Sequence, residues 1–467
     1  MPFRVIIAGG SVAGLTLANV LEKFDIDYVI LEAHAVIAPQ LGASIGLLPS
    51  GLQILDQLGC YESIRRHVGA DCYYQTTVRR FDGQFRSKKK DITFPEELEQ
   101  KTGYPQLFID RQMLLETLFE NLKFKERVLT SKRVTHIDSV EGGVCVCTED
   151  GSEYTGDIVI GADGIHSAVR REMWRNAREA ELEASHIDEG SCIQADSKCL
   201  FGISQRPAAL GSTPRQINAY FDDWNYMMFS VPGNRLYWFL FTGMEKACGG
   251  QIPRFTKEDE ADLVKDRLGD LVTESVTFGD VYKHRQISTL VAVEEHVFAR
   301  WHFRRMLTIG DAAHKLHPIT AQGGNHVMEA AAALVNALRR KLSRASAKDT
   351  ASLSDNDVAE AFAELQASRY DRALAAVLQG QRSNALVAKN TFLARMFIHY
   401  VFPWVGERLI MHLVVQSAKT GARIEDIAPP KYALASGETR SSRSGRLLWS
   451  AGAIGVGLLA TVLYLYC

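Results

Sequence analysis

No C-x-x-C pair occurs among the 8 cysteines of this 467-residue chain, and none stands at zinc spacing with a histidine. Neither a redox dithiol nor a structural zinc site is expected. The cysteines are scattered. Cys145 and Cys147 alternate with Val144 and Val146 and are expected to be buried, reduced thiols, as in a cytosol-facing protein. An excess of one charge is missing too: 53 Lys and Arg stand against 55 Asp and Glu, and the pI is about 6.7. That balance argues against a nucleic-acid partner. His314, His317 and His326 lie close in sequence, but no carboxylate cluster joins them, so they read as loop histidines and no metal is expected. The chain opens on a strand, so no cleavable signal peptide is expected. What is present, 46% hydrophobic and 23% charged residues, is globular in composition and long enough for two domains and a tail.

The chain is organised around its first thirty-two residues. Phe3 to Ala8 is a β-branched apolar run that reads as a buried strand. Gly9-Gly10-Ser11-Val12-Ala13-Gly14 follows, then apolar residues at helical spacing from Leu15 to Lys23, then a second strand, Tyr28 to Leu31, ending in Glu32. Strand, glycine turn, helix, strand and terminal acid make a dinucleotide-binding βαβ unit. Gly9 and Gly14 let the backbone turn and approach a pyrophosphate, and the helix start offers free N–H groups and a positive dipole end. Glu32 is placed to accept from ribose hydroxyls. Ser11 departs from G-x-G-x-x-G, standing where a second glycine is usual; its hydroxyl could donate to a phosphate.

Gly42 to Gly51 is a glycine-rich loop. Gly42 and Gly46 are either turn punctuation or points of close cofactor approach. Pro49 to Leu58 is a helix stopped by Gly59. Tyr73 to Phe85 alternates around Asp82-Gly83, a hairpin signal, and Arg86 to Lys90 reads as solvated surface. Asp110 is a fair N-cap for a helix running to about Leu122. Arg111 in its first turn opposes the dipole, so it is either a surface arginine or one held to contact an anion. Asp157 to Arg170 holds a strand and the turn Gly161-Ala162-Asp163-Gly164, in which Asp163 both caps local N–H groups and lies where a nucleotide would pass. From about Cys192 to Thr289 short alternating runs form an antiparallel sheet, aromatic through Trp224, Tyr226, Trp238 and Phe239. Those rings are either core or the floor of an apolar substrate pocket. In Arg304 to Gly324, a strand closes on Gly310-Asp311, and Gly323-Gly324 opens a helix from Asn325 to Lys341. Asp311 is a turn residue or a partner for a ribitol hydroxyl.

Three stretches together carry a resemblance: Gly9 to Gly14 with Glu32, Asp157 to Arg170, and Gly310 to His314 with Pro318 and Gly323-Gly324. In order and spacing they are similar to the signatures of the FAD-dependent aromatic-hydroxylase-like (group A) monooxygenases, over about residues 1 to 345. Within that family the chain most resembles fungal epoxidases of meroterpenoid and indole-diterpene pathways. The resemblance implies FAD contacts at Glu32, Gly46, Arg111, Asp311 and Gly324. It implies a catalytic tyrosine in the substrate sheet, with Tyr226 and Tyr220 both in the matching region. It implies bound FAD, transient NADPH, and O2 adding to reduced flavin as a C4a-hydroperoxide that epoxidises an alkene of a prenylated or terpenoid small molecule. The start of the Asn325 helix, freed by Gly323 and Gly324, would stabilise negative charge on reduced flavin. No second Rossmann unit is visible for NADPH, as in the family. Ring hydroxylation, squalene-type epoxidation, halogenation and a non-catalytic membrane-tethered flavin-binding protein are the alternatives. Trp224-Asn225-Tyr226 does not complete the W-x-W-x-I-P signature of halogenases.

The expected architecture is α/β: a Rossmann-like FAD-binding domain, an inserted antiparallel β-sheet substrate domain, a helical C-terminal region and one C-terminal transmembrane helix. The FAD-binding parts are 1–75, 106–190 and 291–345; the substrate-domain parts are 76–105 and 191–290. The helical region is 346–436, with Asp357 to Leu378 helical and the apolar stretch within Phe392 to Val415 either lying on a membrane or capping the core. A polar linker spans 437–446 and an anchor 447–467. Leu447 to Tyr466 carries no charge and is long enough to cross a bilayer, with Arg440, Arg443 and Arg446 before it. A membrane is therefore an expected partner, through a single-pass anchor in the endoplasmic reticulum with the catalytic domain cytosolic.

Overall fold

The structure is a computed structural model describing residues 3–39, 44–80, 83–88, 92–180, 193–346, 353–387 and 402–434. A compact unit covers Met1–Ala433; of a second, Leu434–Cys467, only Leu434 is described.

The chain begins with β1 (Arg4–Ala8), α1 (Val12–Glu22) and β2 (Asp27–Leu31), paired parallel from Arg4↔Asp27 to Ala8↔Leu31. β3 (Ser44–Leu47) leads into α2 (Pro49–Leu58), which Gly59 closes in the left-handed region at φ +90°. β4 (Gln75–Arg79) and β5 (Phe85–Lys88) form the expected hairpin; Asp82 lies outside the described residues. β6 (Leu107–Asp110) pairs with β3 and runs into α3 (Arg111–Glu120). After β7 (Val128–Leu129) come three antiparallel strands, β8 (Val134–Val140), β9 (Gly143–Thr148) and β10 (Glu153–Gly156). Val144 and Val146 are buried as alternation requires, but Cys145 and Cys147 are only half-buried, because β9 turns that side outward.

β11 (Ile158–Gly161) precedes α4 (Ala168–Glu179). The aromatic stretch folds as β12 (Gln194–Gln205), β13 (Arg215–Tyr220), β14 (Trp224–Val231), β15 (Arg235–Cys248) and β16 (Arg285–Ala292). With β4 and β5 these make a seven-stranded sheet, order β16-β12-β15-β14-β13-β4-β5, antiparallel except at β13–β4. β17 (His296–Val297), β18 (His302–Phe303), β19 (Met306–Thr308) and β20 (His314–Lys315) lead to α5 (Gly323–Ser346), α6 (Asp355–Val387) and α7 (Phe402–Thr420).

The six-stranded sheet has the order β18-β19-β11-β1-β2-β7, with β1 at its centre and parallel to β11 and β2. Alternation divides β1 between two layers. Val5 and Ile7 face the core shared with α1 and α5, whereas Ile6 and Ala8 face β8, β9 and α4. Parallel central strands covered on both faces explain the near-continuous apolar run at the amino terminus.

The expected transmembrane helix is corrected. Among the described residues no helix is long and apolar enough to cross a membrane. The long helices are interrupted by charge: α5 carries Arg339, Arg340 and Lys341, α6 carries Glu360, Glu364, Arg369 and Arg372, and α7 carries Glu407 and Arg408. The linker 437–446 and the segment Leu447–Cys467 on which the expectation fell lie outside the described residues, as does the stretch 388–401. Among the described residues the fold class is the α/β flavoprotein architecture, with no helix that crosses a membrane. The single-pass anchor, the membrane partner and the endoplasmic-reticulum location that rested on them are withdrawn.

Candidate functional site

The glycine turn is held by its own backbone and by Glu32. Gly9 adopts φ +105°, and a Cβ there would stand 2.5 Å from the carbonyl oxygen of Ala162. A Cβ on Gly14 would stand 1.9 Å from the carbonyl oxygen of Gly9. Both positions admit only glycine, because the helix start, the turn and the loop after β11 touch backbone to backbone. Gly9 N–H donates to the Leu31 carbonyl (2.9 Å), and Gly10 N–H donates to Glu32 Oε2 (2.6 Å). Glu32 Oε1 accepts from His34 N–H at 2.8 Å. A carboxylate has about four lone-pair sites, so Glu32 can orient the turn and still accept from a ligand hydroxyl.

Arg111 joins this turn from α3. Its Nη2 donates to Ser11 Oγ at 2.6 Å. Burial lowers the guanidinium pKa, opposed by the charges of Asp311 and Glu32. Ser11, at the position that departs from the glycine pattern, is thus a partner for the arginine. Asp311 lies in a short turn after β19, where Gly310 takes φ +61°; its carboxylate is 3.5 Å from Lys315 Nζ and 42% exposed. Gly9–Gly14, Glu32, Arg111 and Asp311, spread over 300 residues of sequence, are therefore neighbours. Asp163 is beside them, but its side chain caps α4: Oδ2 accepts from Ala168 N–H (2.7 Å) and Val169 N–H (3.1 Å). Burial raises its pKa.

A second cluster forms where β3 meets the start of α5. A Cβ on Gly46 would lie 2.6 Å from Ala321 Cβ, and one on Gly324 would lie 2.5 Å from Ile45 Cδ1. A Cβ on Gly323 would meet no atom within 4 Å, so the protein's own packing does not require that glycine. Open space at a helix start, where N–H groups lack helical partners, suits an anionic ligand edge. Gly42 lies outside the described residues.

Asn325 is a site residue that sequence reasoning missed. It is 1% exposed; its Oδ1 accepts from Leu48 N–H (2.9 Å), and its Nδ2 donates to the carbonyls of Gly46 (3.1 Å) and Ala321 (2.9 Å). It ties β3, α2 and α5 around the two glycines. An amide in the first turn of the helix is its only local signal. Asp110 was also misread: it makes no capping bond and accepts instead from Arg235 Nη2 at 2.7 Å, linking β6 to the seven-stranded sheet.

The seven-stranded sheet has two faces, and register assigns the tyrosines to opposite ones. Tyr226 shares its face with Met228, Trp238 and Leu240, packed under Leu263, Val272 and Phe278. Its hydroxyl donates to Asp270 Oδ2 at 2.6 Å, which also accepts from Trp224 Nε1 at 2.8 Å. Tyr226 is therefore not in the site: the expectation is corrected by strand parity. Tyr220 lies opposite Asn225, and Asn225 opposite Phe241, on the face that displays Met227, Phe229 and Phe239. That face meets Phe108, stacked on Phe229 at 3.7 Å, and Ile319 and Ala321 from the loop before α5. Burial pushes the Tyr220 phenol up to about 12, so it stays a neutral donor.

The histidines are buried rather than exposed in loops. His314 stacks on Trp301 at 5.1 Å, His317 leans on Phe241 at 5.5 Å, and His326 is in α5. Burial pulls His314 and His317 down to about 4 and His326 well below its ordinary value, so all three are neutral at pH 7. Among the described residues no group of three or more His, Cys, Asp or Glu side chains could hold a metal.

Because its hydroxyl is bonded to Asp270 on the face away from α5, Tyr226→Phe should cost about 1.5–3 kcal/mol of stability, the range for a hydrogen bond to a charged group, and leave turnover unchanged. Denaturant midpoints and steady-state rates test this. A turnover defect without a stability defect would return Tyr226 to the site.

This fold, with a glycine turn, a distal acid and an aromatic sheet facing a helix start, defines a flavin-dependent hydroxylase class. The chain belongs to the FAD binding domain family, which matches residues 3–365, and it is an FAD-dependent monooxygenase with FAD as cofactor. The FAD-dependent monooxygenase ausM of Penicillium brasilianum is 36% identical over 92% of this chain and 88% of its own. The FAD-dependent monooxygenase penE of Penicillium thymicola is 34% identical over 100% of this chain and 96% of its own. HpxO of Klebsiella pneumoniae, solved with FAD and uric acid, has a TM-score of 0.70 and 22% identity, covering 90% of this chain and 97% of its own. At that identity the likeness to HpxO speaks for the fold.

Proposed function

We propose that this monooxygenase places one oxygen atom of O2 on an alkene of a prenylated or terpenoid small molecule, forming an epoxide, with NADPH as a transient reductant, in fungal-type secondary metabolism. The observation that carries the reading is the face of the substrate sheet turned toward α5. Between Phe201 and Tyr220 it displays Phe239, Phe241, Met227 and Phe229 and no carboxylate or lysine. An aromatic and thioether surface suits an apolar chain. Phenol hydroxylation calls for a base to remove the phenolic proton; alkene epoxidation does not, and His317 beside this face is a weak base because burial disfavours its protonated form.

Bound FAD supplies the redox chemistry and the activation of O2. In this reading Gly9, Ser11 and Gly14 admit the pyrophosphate, Glu32 accepts from ribose, and Arg111 and Asp311 hold cofactor oxygens between them. Asp163 fixes the neighbouring turn through its capping bonds. Gly46, Gly323 and Gly324 leave room at the start of α5, whose N–H groups steady negative charge. Tyr220 donates a hydrogen bond that orients the oxygen-transfer partners, and the aromatic face excludes water.

Tyr220→Phe should keep NADPH oxidation, lower product formation by about 10²-fold, the scale for one preorganised donor, and release hydrogen peroxide instead. A coupled assay for NADPH, peroxide and product by mass spectrometry reads all three. Product at the parent rate would remove Tyr220 from the mechanism. A product that is a phenol and not an epoxide would overturn the epoxidase reading.

A further inference from the structure

Beyond the aromatic face, at the far end of β12, the chain builds a half-open pocket of about 320 Å³. Gln194 and Asp196 of β12, Lys246 of β15, Gln381 and Arg382 of α6, and Glu295 line it. Glu295 is 4% exposed, and its Oε1 has no hydrogen-bond partner. Its backbone is pinned to the sheet: Glu295 N–H donates to the Gln194 carbonyl (2.9 Å), and Gln194 N–H donates back (3.4 Å). A buried carboxyl with an orphaned oxygen costs stability, and such a group beside a pocket marks a candidate ligand contact.

The surroundings define its chemistry. Burial, with the like charge of Asp196 from β12 adding to it, pushes the Glu295 carboxyl up to about 8. Lys246 from β15 and Arg382 from α6 line the same cavity, and His317, neutral, stands beside it across Gly380. A Cβ on Gly380 would be 2.8 Å from His317 Cβ and 3.5 Å from Glu295 Oε1. Glu294 turns away to Lys315 (3.8 Å) and His166 (3.6 Å). His317 also touches Phe241 and approaches Ser197 Oγ at 3.4 Å, so the cavity adjoins the aromatic face. From Gln194 to Phe201 β12 extends about 20 Å.

We infer that Glu295 is a specificity residue: it donates a hydrogen bond from its protonated carboxyl to an uncharged carbonyl oxygen at one end of the substrate, whose apolar chain runs along Phe241 toward Phe201. This deepens the proposed function and rests on that face being the substrate surface. An uncharged ketone needs only the acid form of Glu295 and adds no charge to a pocket already lined by Asp196, Lys246 and Arg382.

The test uses the full-length, FAD-loaded protein and titration calorimetry with geranylacetone and with its hydrocarbon counterpart, in which CH2 replaces C=O. Wild type should prefer the ketone by about 10-fold, the worth of one hydrogen bond of roughly 1.4 kcal/mol, and lose the preference as pH rises through 8. Glu295→Gln, whose amide also donates, should keep the preference at every pH. Glu295→Leu should abolish it.

Stability should fall with rising pH as well, and at lower pH than binding. Between the ordinary carboxyl value of 4.5 and 8, the folded chain keeps a proton that the unfolded chain has lost. Wild-type stability therefore falls with rising pH across that window and levels above it. Glu295→Gln should remove that fall and raise the melting temperature at alkaline pH. Equal affinity of wild type for ketone and hydrocarbon, or a preference that survives in Glu295→Leu, overturns the inference. If Glu295→Leu does not fold, a pH-dependent preference that persists in Glu295→Gln overturns it equally. Failure of the epoxidase reading is seen separately, as absence of an oxygenated product.

Discussion

Replacing Arg111 with alanine should strip FAD from the protein while leaving the fold in place. The guanidinium feels the charges of both Asp311 and Glu32 and donates to Ser11 Oγ, so it is a cation gathered with the glycine turn and both carboxylates. Partial burial disfavours its charge. A cation held at that cost next to a helix start is explained by an anionic ligand; among the described residues its direct side-chain hydrogen bond goes to a serine hydroxyl. A hydrogen bond to a charged group is worth about 1.5–3 kcal/mol, so affinity should drop by roughly 10- to 150-fold. Melting of the apoprotein should change little, since truncation also relieves the desolvation. Flavin occupancy after gel filtration, read by absorbance, checks the first part, and apoprotein calorimetry the second. Full occupancy in Arg111→Ala would remove the arginine from the cofactor site. Asp311→Ala should act the same way with a smaller effect, because Asp311 is more exposed and shared with Lys315.

The second large effect is on stability. Glu329 of α5 is fully buried, with Oε2 accepting from Arg369 at 2.7 Å and Oε1 from Arg372 at 3.0 Å. Ala422 N–H, after α7, also approaches Oε2, at 3.4 Å. One carboxylate therefore holds α5, α6 and the segment after α7 together, just beyond the start of α5. Arg369 has a side chain only 4% exposed, with Nε and Nη2 unpartnered, so it depends on Glu329 for compensation. Glu329→Gln should leave that charge buried and cost about 3–5 kcal/mol, a large share of the 5–15 kcal/mol typical of a folded chain. Changing Glu329, Arg369 and Arg372 together to apolar residues of similar volume should cost much less. A denaturant midpoint for Glu329→Gln close to that of the parent would show that water reaches the pair.

The local parts of this fold are legible in sequence, and the non-local ones are not. β1, the glycine turn, α1 and β2 follow from periodicity and turn chemistry within one short stretch, and Glu32 follows from its place at the strand end. The aromatic sheet is equally plain from alternation. Its faces are not, because a single-residue offset exchanges them. Tyr220 and Tyr226 sit six residues apart on neighbouring strands, and only their register against Phe108 and Ala321 shows which one shares the site. Asn325, Asp110 and Glu295 escape for the same reason: each gains its meaning from partners more than 90 residues away, such as Gly46, Arg235 and Gln194. The expectation at Leu447 to Tyr466 came from composition alone, and the described helices carry too much charge to cross a membrane.

The proposed reaction is transfer of one oxygen atom from O2 to an apolar alkene laid on the face between Phe201 and Tyr220. The most direct test is a single turnover of the FAD-loaded, NADPH-reduced protein with a panel of prenylated aromatics under heavy-isotope O2, read by mass spectrometry. The account predicts a product that has gained one labelled oxygen and that opens in acid to a diol. It also predicts that Tyr220→Phe forms little of that product and releases the label as hydrogen peroxide. Label found on the aromatic ring, or NADPH oxidation that no prenylated molecule accelerates, would contradict it.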